Sequence, residues 1–138
     1  MATLDMTNGQ AAIPFGGTDK HYRVSNKLDF SLNNAANADV IQALSIKTNT
    51  KVRGVYVRIV TPEGGSATAT VGDDSTTNGW DTSVNLNAAA GTITQTVSTD
   101  SYGADGKIYT AADTIDLSLG AALDGAVVYV YAECLDLN

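Results

Sequence analysis

The sequence predicts an all-β fold: a two-sheet antiparallel sandwich, jelly-roll-like, carrying an extended N-terminal arm. Three observations carry that prediction. Apolar residues recur at every second position in segment after segment, the period of a half-buried strand. Clusters of Gly, Asp and Asn interrupt these segments about every ten residues, as in sandwiches and barrels. The acidic residues are almost all aspartate, with Glu63 and Glu133 the only glutamates. Aspartate favours turns, whereas glutamate favours helices. No βαβ rhythm, heptad or true internal repeat is present.

Residues 1–17 have little periodicity and include Asn8-Gly9 and Ile13-Pro14-Phe15-Gly16-Gly17. They read as an extended arm preceding a β-sandwich domain at 18–138. Such an arm is either a disordered terminus or a segment that packs on a neighbouring subunit through Ile13 and Phe15. Leu28, Phe30 and Leu32 alternate with Asp29 and Ser31 as a one-sided strand. Residues 39–46 fit a helical turn capped by Asp39 or a strand, and the strand is preferred. Lys51 to Thr61 is the strongest strand signal: Val55, Val57 and Ile59 share one face, and Val52, Tyr56 and Val60 the other, with Arg58 among them. Apolar residues on both sides imply a central strand whose outer face is also covered. Pro62-Glu63-Gly64-Gly65 ends it, and Ala67, Ala69 and Val71 are expected to return as its antiparallel partner.

A polar loop then runs from Gly72 through Asp73, Asp74, Asn78 and Gly79 to Trp80, the sole tryptophan. Short strands are expected at Val84 and Leu86, at Ile93 to Val97 and at Ile108-Tyr109. A second turn-rich loop occupies 101–106. Ile115, Leu117 and Leu119 alternate with Thr114, Asp116 and Ser118. In the last segment Val128, Val130, Ala132 and Cys134 oppose Val127, Tyr129, Tyr131, Leu135 and Leu137, so both faces again carry apolar mass.

A chain of this length forms one domain and folds without staples. Its net charge of −7, with eight basic residues scattered from Lys20 to Lys107, argues against a nucleic-acid partner. Neither a secretory signal nor a bilayer-spanning apolar run is legible, so the protein is expected to be made in a cytoplasm, with no membrane partner. The lone Cys134 lies in an apolar run and reads as a small buried hydrophobe.

Few residues of the sequence carry the pattern of a reaction centre or metal site. His21 stands among charged neighbours without a nucleophile elbow and reads as a surface residue. One His and one Cys fall short of a zinc set. Asp74 to Gly79 echoes the start of a calcium loop, but Thr76 holds its third position and Asn85 the twelfth, where a bidentate Glu is required. Turn-forming aspartates that cap backbone N–H groups are the better reading. Asp113 and Asp116, three apart on a strand, point to opposite faces and make no glycosidase pair. No catalytic residue, cofactor site or metal site is assigned. The remaining candidates are polar-tipped aromatics, which serve at contact surfaces or at the edge of a core.

The block Lys51 to Asn87, with its Val71-Gly72-Asp73 loop after a strand, resembles small structural proteins encoded among the head genes of tailed bacteriophages. Thr114-Ile-Asp-Leu117 within Tyr109 to Leu119, and the Val/Tyr strand Gly125 to Ala132, follow in the same order. The resemblance spans roughly residues 38–137. It implies a capsid decoration, or cement, protein: a sandwich that trimerises, sits on the outer surface of the head, and clamps major capsid subunits. The expected partners are then the major capsid protein and two further copies of the chain. The expected location is the capsid exterior, after synthesis in the host bacterial cytoplasm. Expected subunit or capsid contacts are Ile13, Phe15, Tyr56, Arg58, Trp80, Tyr102, Tyr129 and Tyr131. Two alternatives stay open. One is a tail, neck or head-fibre component with Trp80 and Tyr102 facing a receptor or glycan; the other is a carbohydrate-binding module.

Overall fold

The computed structural model describes residues 1–10 and 20–138. Among them stand ten strands and one short 3-10 helix, with no α-helix. The strands are β1 (Thr3–Asp5), β2 (His21–Asp29), β3 (Val40–Ile46), β4 (Thr50–Thr61), β5 (Thr68–Gly72), β6 (Asp81–Asn85), β7 (Ile93–Gln95), β8 (Lys107–Tyr109), β9 (Asp113–Leu119) and β10 (Val127–Asp136). The 3-10 turn spans Thr7–Gly9. Sheet I has the order β1-β3-β9-β5-β6, and sheet II the order β2-β10-β4-β7, with β8 also paired to β4. Every pairing is antiparallel except β1 with β3. The expected two-sheet β-sandwich is what forms.

The core lies between the sheets and is filled by the alternating residues. Ile115 and Leu117 of β9 face Val128 and Val130 of β10 across it, all fully buried, together with Leu28, Phe30, Ile41, Leu44, Val57 and Ile59. Cys134 is buried within the same core. Burial pushes its thiol up to about 12, which removes the reactive thiolate at neutral pH.

Several expectations need correction. Ala67, Ala69 and Val71 do not pair with β4. Both sides of β4 are already taken, by β10 on one and by β7 and β8 on the other. The chain crosses instead to sheet I, where β5 pairs with β6 and β9. Glu63 holds this crossover: its carboxylate accepts the backbone N–H groups of Asp124 at 2.8 Å and Gly125 at 3.1 Å, in the turn before β10. Val52 does not share a face with Tyr56. A bulge between the Glu133–Gly54 and Cys134–Val52 pairs reverses the parity, so Val52 is buried along with Val55, Val57 and Ile59. A second bulge, between Gln42 and Leu44 of β3, leaves Ala43 and Leu44 both buried. That doublet is why residues 39–46 read ambiguously as sequence.

The strand expected to include Leu32 ends at Asp29, whose carbonyl accepts the N–H of Leu32 at 3.3 Å and of Asn33 at 3.2 Å in a turn. Leu32 is therefore exposed. β7 stops at Gln95, and Val97 lies beyond it, half exposed. At the N-terminus, Thr3–Asp5 join sheet I as an edge strand, with Leu4 and Met6 packed against the core. Residues 1–10 of the expected arm thus lie on the sandwich. Ile13 and Phe15 fall outside the described residues.

Candidate contact surface

Four of the expected contact residues converge on the outward face of sheet II. Register places Tyr131 opposite Tyr56, and Tyr129 opposite Arg58. Strand parity turns all four away from the core, because Val128, Val130, Val55 and Val57 occupy the inward positions between them. The Tyr129 and Tyr131 rings stack with centroids 5.8 Å apart and planes inclined by 18°. The Arg58 guanidinium lies 4.8 Å over the Tyr129 ring, and Arg23 of β2 lies 5.2 Å over Tyr131. Cation–π contact of this kind contributes roughly 0.5–1 kcal/mol at exposed sites. Its larger effect is geometric: two guanidinium groups are held at defined positions over the tyrosine rings.

Arg23, Tyr56, Arg58, Ile93, Tyr131 and Glu133 line a shallow depression of about 430 Å³. Ile93 is 59% exposed at its rim. The Nε of Arg58 is buried and has no hydrogen-bond partner among the described residues. Burial, followed by the charge of Glu133, raises the Tyr56 hydroxyl above its ordinary pKa, so it stays a neutral donor.

Basic residues that look scattered in the sequence are gathered here by register. Arg23 and Lys27 stand on β2, and Lys51, Arg53 and Arg58 on β4. Glu133 pairs with Arg23 on one side and Gly54 on the other, which brings β2 and β4 to either side of β10. Five of the eight Lys and Arg residues therefore occupy two strands flanking one other. Pairing between strands distant in sequence is the information a linear reading lacks.

Trp80 and Tyr102 lie elsewhere, in a buried polar network at the loop from 73 to 80. Trp80 is fully buried in the core and presents no contact surface, a correction to its expected role. Its indole N–H donates to the Tyr109 hydroxyl at 3.0 Å, and its ring meets Tyr102 edge-on at 5.0 Å. Tyr109 in turn donates to Asp73 Oδ2 at 2.7 Å. Lys107 Nζ sits 2.7 Å from the same oxygen. Asp73 Oδ1 accepts the Ser75 and Thr76 N–H groups at 3.0 and 2.9 Å and the Tyr102 hydroxyl at 3.2 Å. Asp73 is thus the backbone-capping turn aspartate that its sequence context suggests. Burial alone would raise its carboxyl, but Lys107, the Thr76 N–H and Tyr109 together hold it below the ordinary value.

Gly79 makes the packing possible, since a Cβ there would come within 2.2 Å of the Tyr102 ring. Gly106 closes the neighbouring loop at φ +74, where a Cβ would strike the Val52 carbonyl oxygen at 2.4 Å. The loop is held in place by this network of hydrogen bonds and ring packing. Among the described residues no group of three or more His, Cys, Asp or Glu side chains is arranged to hold a metal ion. No helix among them is long and apolar enough to cross a membrane. His21 is exposed at the start of β2.

No protein-family model and no curated protein sequence matches the chain. Solved structures do. The chain is similar to one in the acidic stable capsid structure of Helicobacter pylori bacteriophage KHP30, with 11% identity, a TM-score of 0.61, and coverage of 87% of this chain and 90% of that one. It is similar to a chain of the cyanophage Pam1 capsid asymmetric unit, at 14% identity and a TM-score of 0.65 over 91% of this chain and 92% of that one. A chain from the capsid of Ralstonia phage GP4 matches at 15% identity and a TM-score of 0.54, covering 91% of this chain and 89% of that one. At these identities the likeness is one of fold: the protein shares its sandwich with chains found in three phage capsid structures.

Proposed function

We propose that this protein is a structural, non-enzymatic component of a bacteriophage head, a decoration protein that binds the outer surface of the capsid and stabilises contacts between major capsid subunits. The observation that carries this reading is the two-way coverage of the capsid chains. About nine-tenths of each matched chain is spanned by about nine-tenths of this one. The neighbours are therefore small chains built around one sandwich, like this protein, and not single domains cut from larger shell subunits. The strand order supports a jelly-roll assignment: β2-β10-β4 with β7 and β8 lies over β3-β9-β5-β6, and successive strands cross between the sheets except at the β5–β6 and β7–β8 steps.

The physics of such a role is linkage. A protein that binds only the assembled shell stabilises it by mass action, and many copies multiply a modest interface. A rigid sandwich with locked loops suits the task, because little conformational entropy is lost on docking. The outward face of sheet II supplies an aromatic and cationic contact patch, in which Tyr56, Arg58, Tyr129 and Tyr131 are the proposed contact residues. Tyr102, half-buried beside the loop, remains a proposed contact of lower area. Ile13 and Phe15 remain proposed anchors; replacing both with Ser is expected to lower head occupancy without altering the melting temperature of the free protein.

The direct experiment adds purified protein to heads stripped of accessory proteins and measures bound copies and the thermal stability of the shell. Saturable binding with a raised shell melting temperature supports the reading. Binding to tails only would replace it with the tail-component reading.

A further inference from the structure

We propose that the outward face of sheet II binds an extended acidic segment of a partner protein, along a row that crosses the strands from Ile93 to Lys27. In the head-protein reading, on which the proposal rests for its setting, that partner is a shell subunit; the chemistry of the row stands on register and charge. Arg58 is opposite Ile93 of β7 on one side and Tyr129 of β10 on the other, and Tyr129 is opposite Lys27 of β2. Ile93, Arg58, Tyr129 and Lys27 therefore stand side by side, one strand spacing of about 5 Å apart. The adjacent row, Gln95, Tyr56, Tyr131 and Ser25, is uncharged.

The first row is cationic at two points and apolar at one end. Among the described residues neither Arg58 nor Lys27 has an ion pair. The buried Arg58 Nε lacks an acceptor, which a carboxylate supplies. Ile93 is exposed beside it. The acidic residues of this face are engaged or distant. Asp29 turns its carboxylate to the Ser31 N–H at 3.0 Å. Glu133 lies opposite Gly54, with Arg23 on its other side. Gly54 is four residues from Arg58, about 14 Å of strand.

The tyrosine stack selects among anions. Seating a guanidinium between two rings needs about 7 Å, twice the contact distance. The Tyr129 and Tyr131 centroids are only 5.8 Å apart. Arg58 and Arg23 therefore cap the outer faces, in the order Arg58, Tyr129, Tyr131, Arg23. A base or a sugar ring, which would stack on an open face, finds none on this pair. A carboxylate instead meets a guanidinium at its edge, in the plane of the N–H groups. Ile93 then favours a peptide over a polysaccharide, because a peptide can carry an apolar side chain beside its carboxylates. The three strand spacings from Ile93 to Lys27 come to about 14 Å, which is also the reach of residues i, i+2 and i+4 of an extended segment. The pattern that fits is an apolar residue at i on Ile93, with acidic residues at i+2 by Arg58 and at i+4 by Lys27.

The test titrates the isotope-labelled full chain with the capped peptide Gly-Leu-Ser-Glu-Ser-Glu-Gly and follows backbone amide shifts by NMR. Saturable shifts centred on the row are expected, weaker at high salt. Gln at both Glu positions of the peptide, or Arg58→Gln with Lys27→Gln in the protein, should each raise Kd by about ten-fold or more. Circular dichroism confirms that each variant folds. Ile93→Ser should raise Kd about five-fold for this peptide and leave it unchanged for one with Gly in place of Leu. No saturable shift at millimolar peptide, shifts centred elsewhere, or affinity indifferent to Arg58 and Lys27 overturns the proposal. So does polygalacturonate that outcompetes the peptide at equal carboxylate concentration and ignores Ile93→Ser, which assigns the row to an acidic glycan. Stripped heads separate the two readings. If the Arg58→Gln, Lys27→Gln variant decorates heads as fully as the wild type, the proposal fails and the head reading stands. If the wild type takes the peptide at the row and ignores heads, the row stands and the head reading fails.

Discussion

Replacing Asp73 with Ala should destabilise the protein by about 3–5 kcal/mol, the cost of removing one partner from a buried pair. The magnitude follows from what the carboxylate holds. Its two oxygens accept five hydrogen bonds, from the Ser75 and Thr76 N–H groups, the Tyr102 and Tyr109 hydroxyls and the Lys107 ammonium. The Asp73 side chain is wholly buried, so Ala leaves the buried Tyr109 hydroxyl without its acceptor and removes the acceptor of the part-buried Ser75, Thr76, Tyr102 and Lys107 donors. Lys107 retains 22% exposure and can turn towards water, which places the expected cost in the lower half of the range. Against a total stability of about 5–15 kcal/mol, this is a large fraction. Urea denaturation should report it as a lowered midpoint at unchanged slope. A double-mutant cycle with Lys107→Met should return a coupling of about 1–3 kcal/mol. Loss of less than about 1 kcal/mol in Asp73→Ala, or zero coupling, would refute the claim that this network holds the loop. Because the folded-state carboxyl is held low, its contribution is present above the ordinary carboxylate range and is lost as pH falls below about 4.

Asp116 acts in the opposite sense. Its carboxyl rises from 3.8 to about 6 on folding, so stability falls as pH climbs between those values, by about 3 kcal/mol in all. Asp116→Asn, which keeps an acceptor for the Thr114 hydroxyl, should flatten the melting temperature across that window; an unchanged slope contradicts the assignment. Gly79→Ala should lower stability by about 1–3 kcal/mol through overpacking against Tyr102, and Gly79→Ala with Tyr102→Ala should recover part of the loss in thermal melts. Cys134 should resist thiol reagents in the native state and react at a rate set by unfolding; rapid native labelling would show the core to be more open than described.

The fold was legible wherever alternation is undisturbed. Ile115, Leu117 and Leu119, and Val128, Val130, Ala132 and Cys134, each mark one inward face, and the structure buries them as a set. Legibility failed where local irregularity breaks the period. The bulge near Arg53 moves Val52 to the inward face, and the bulge at Ala43 blurs strand into helix. It failed again where meaning depends on distant pairing. Ala69 and Val71 look like a hairpin return, but β4 has no free edge to receive them. Trp80, beside a polar loop, looks like an exposed anchor, and only the fold reveals that its partner is Tyr109, twenty-nine residues on. The contact face was half visible. Tyr129 and Tyr131 announce it by parity, but Arg23, Lys27 and Arg58 join them only through the register of β2, β10 and β4.

The most direct measurement of the central claim is electron microscopy of the parent particle, compared with a particle lacking this protein. The account predicts added density on the outer surface of the head, into which the sandwich fits, and a head that withstands heat less well when that density is missing. Density confined to the tail, or a head unchanged by the protein's absence, would contradict it.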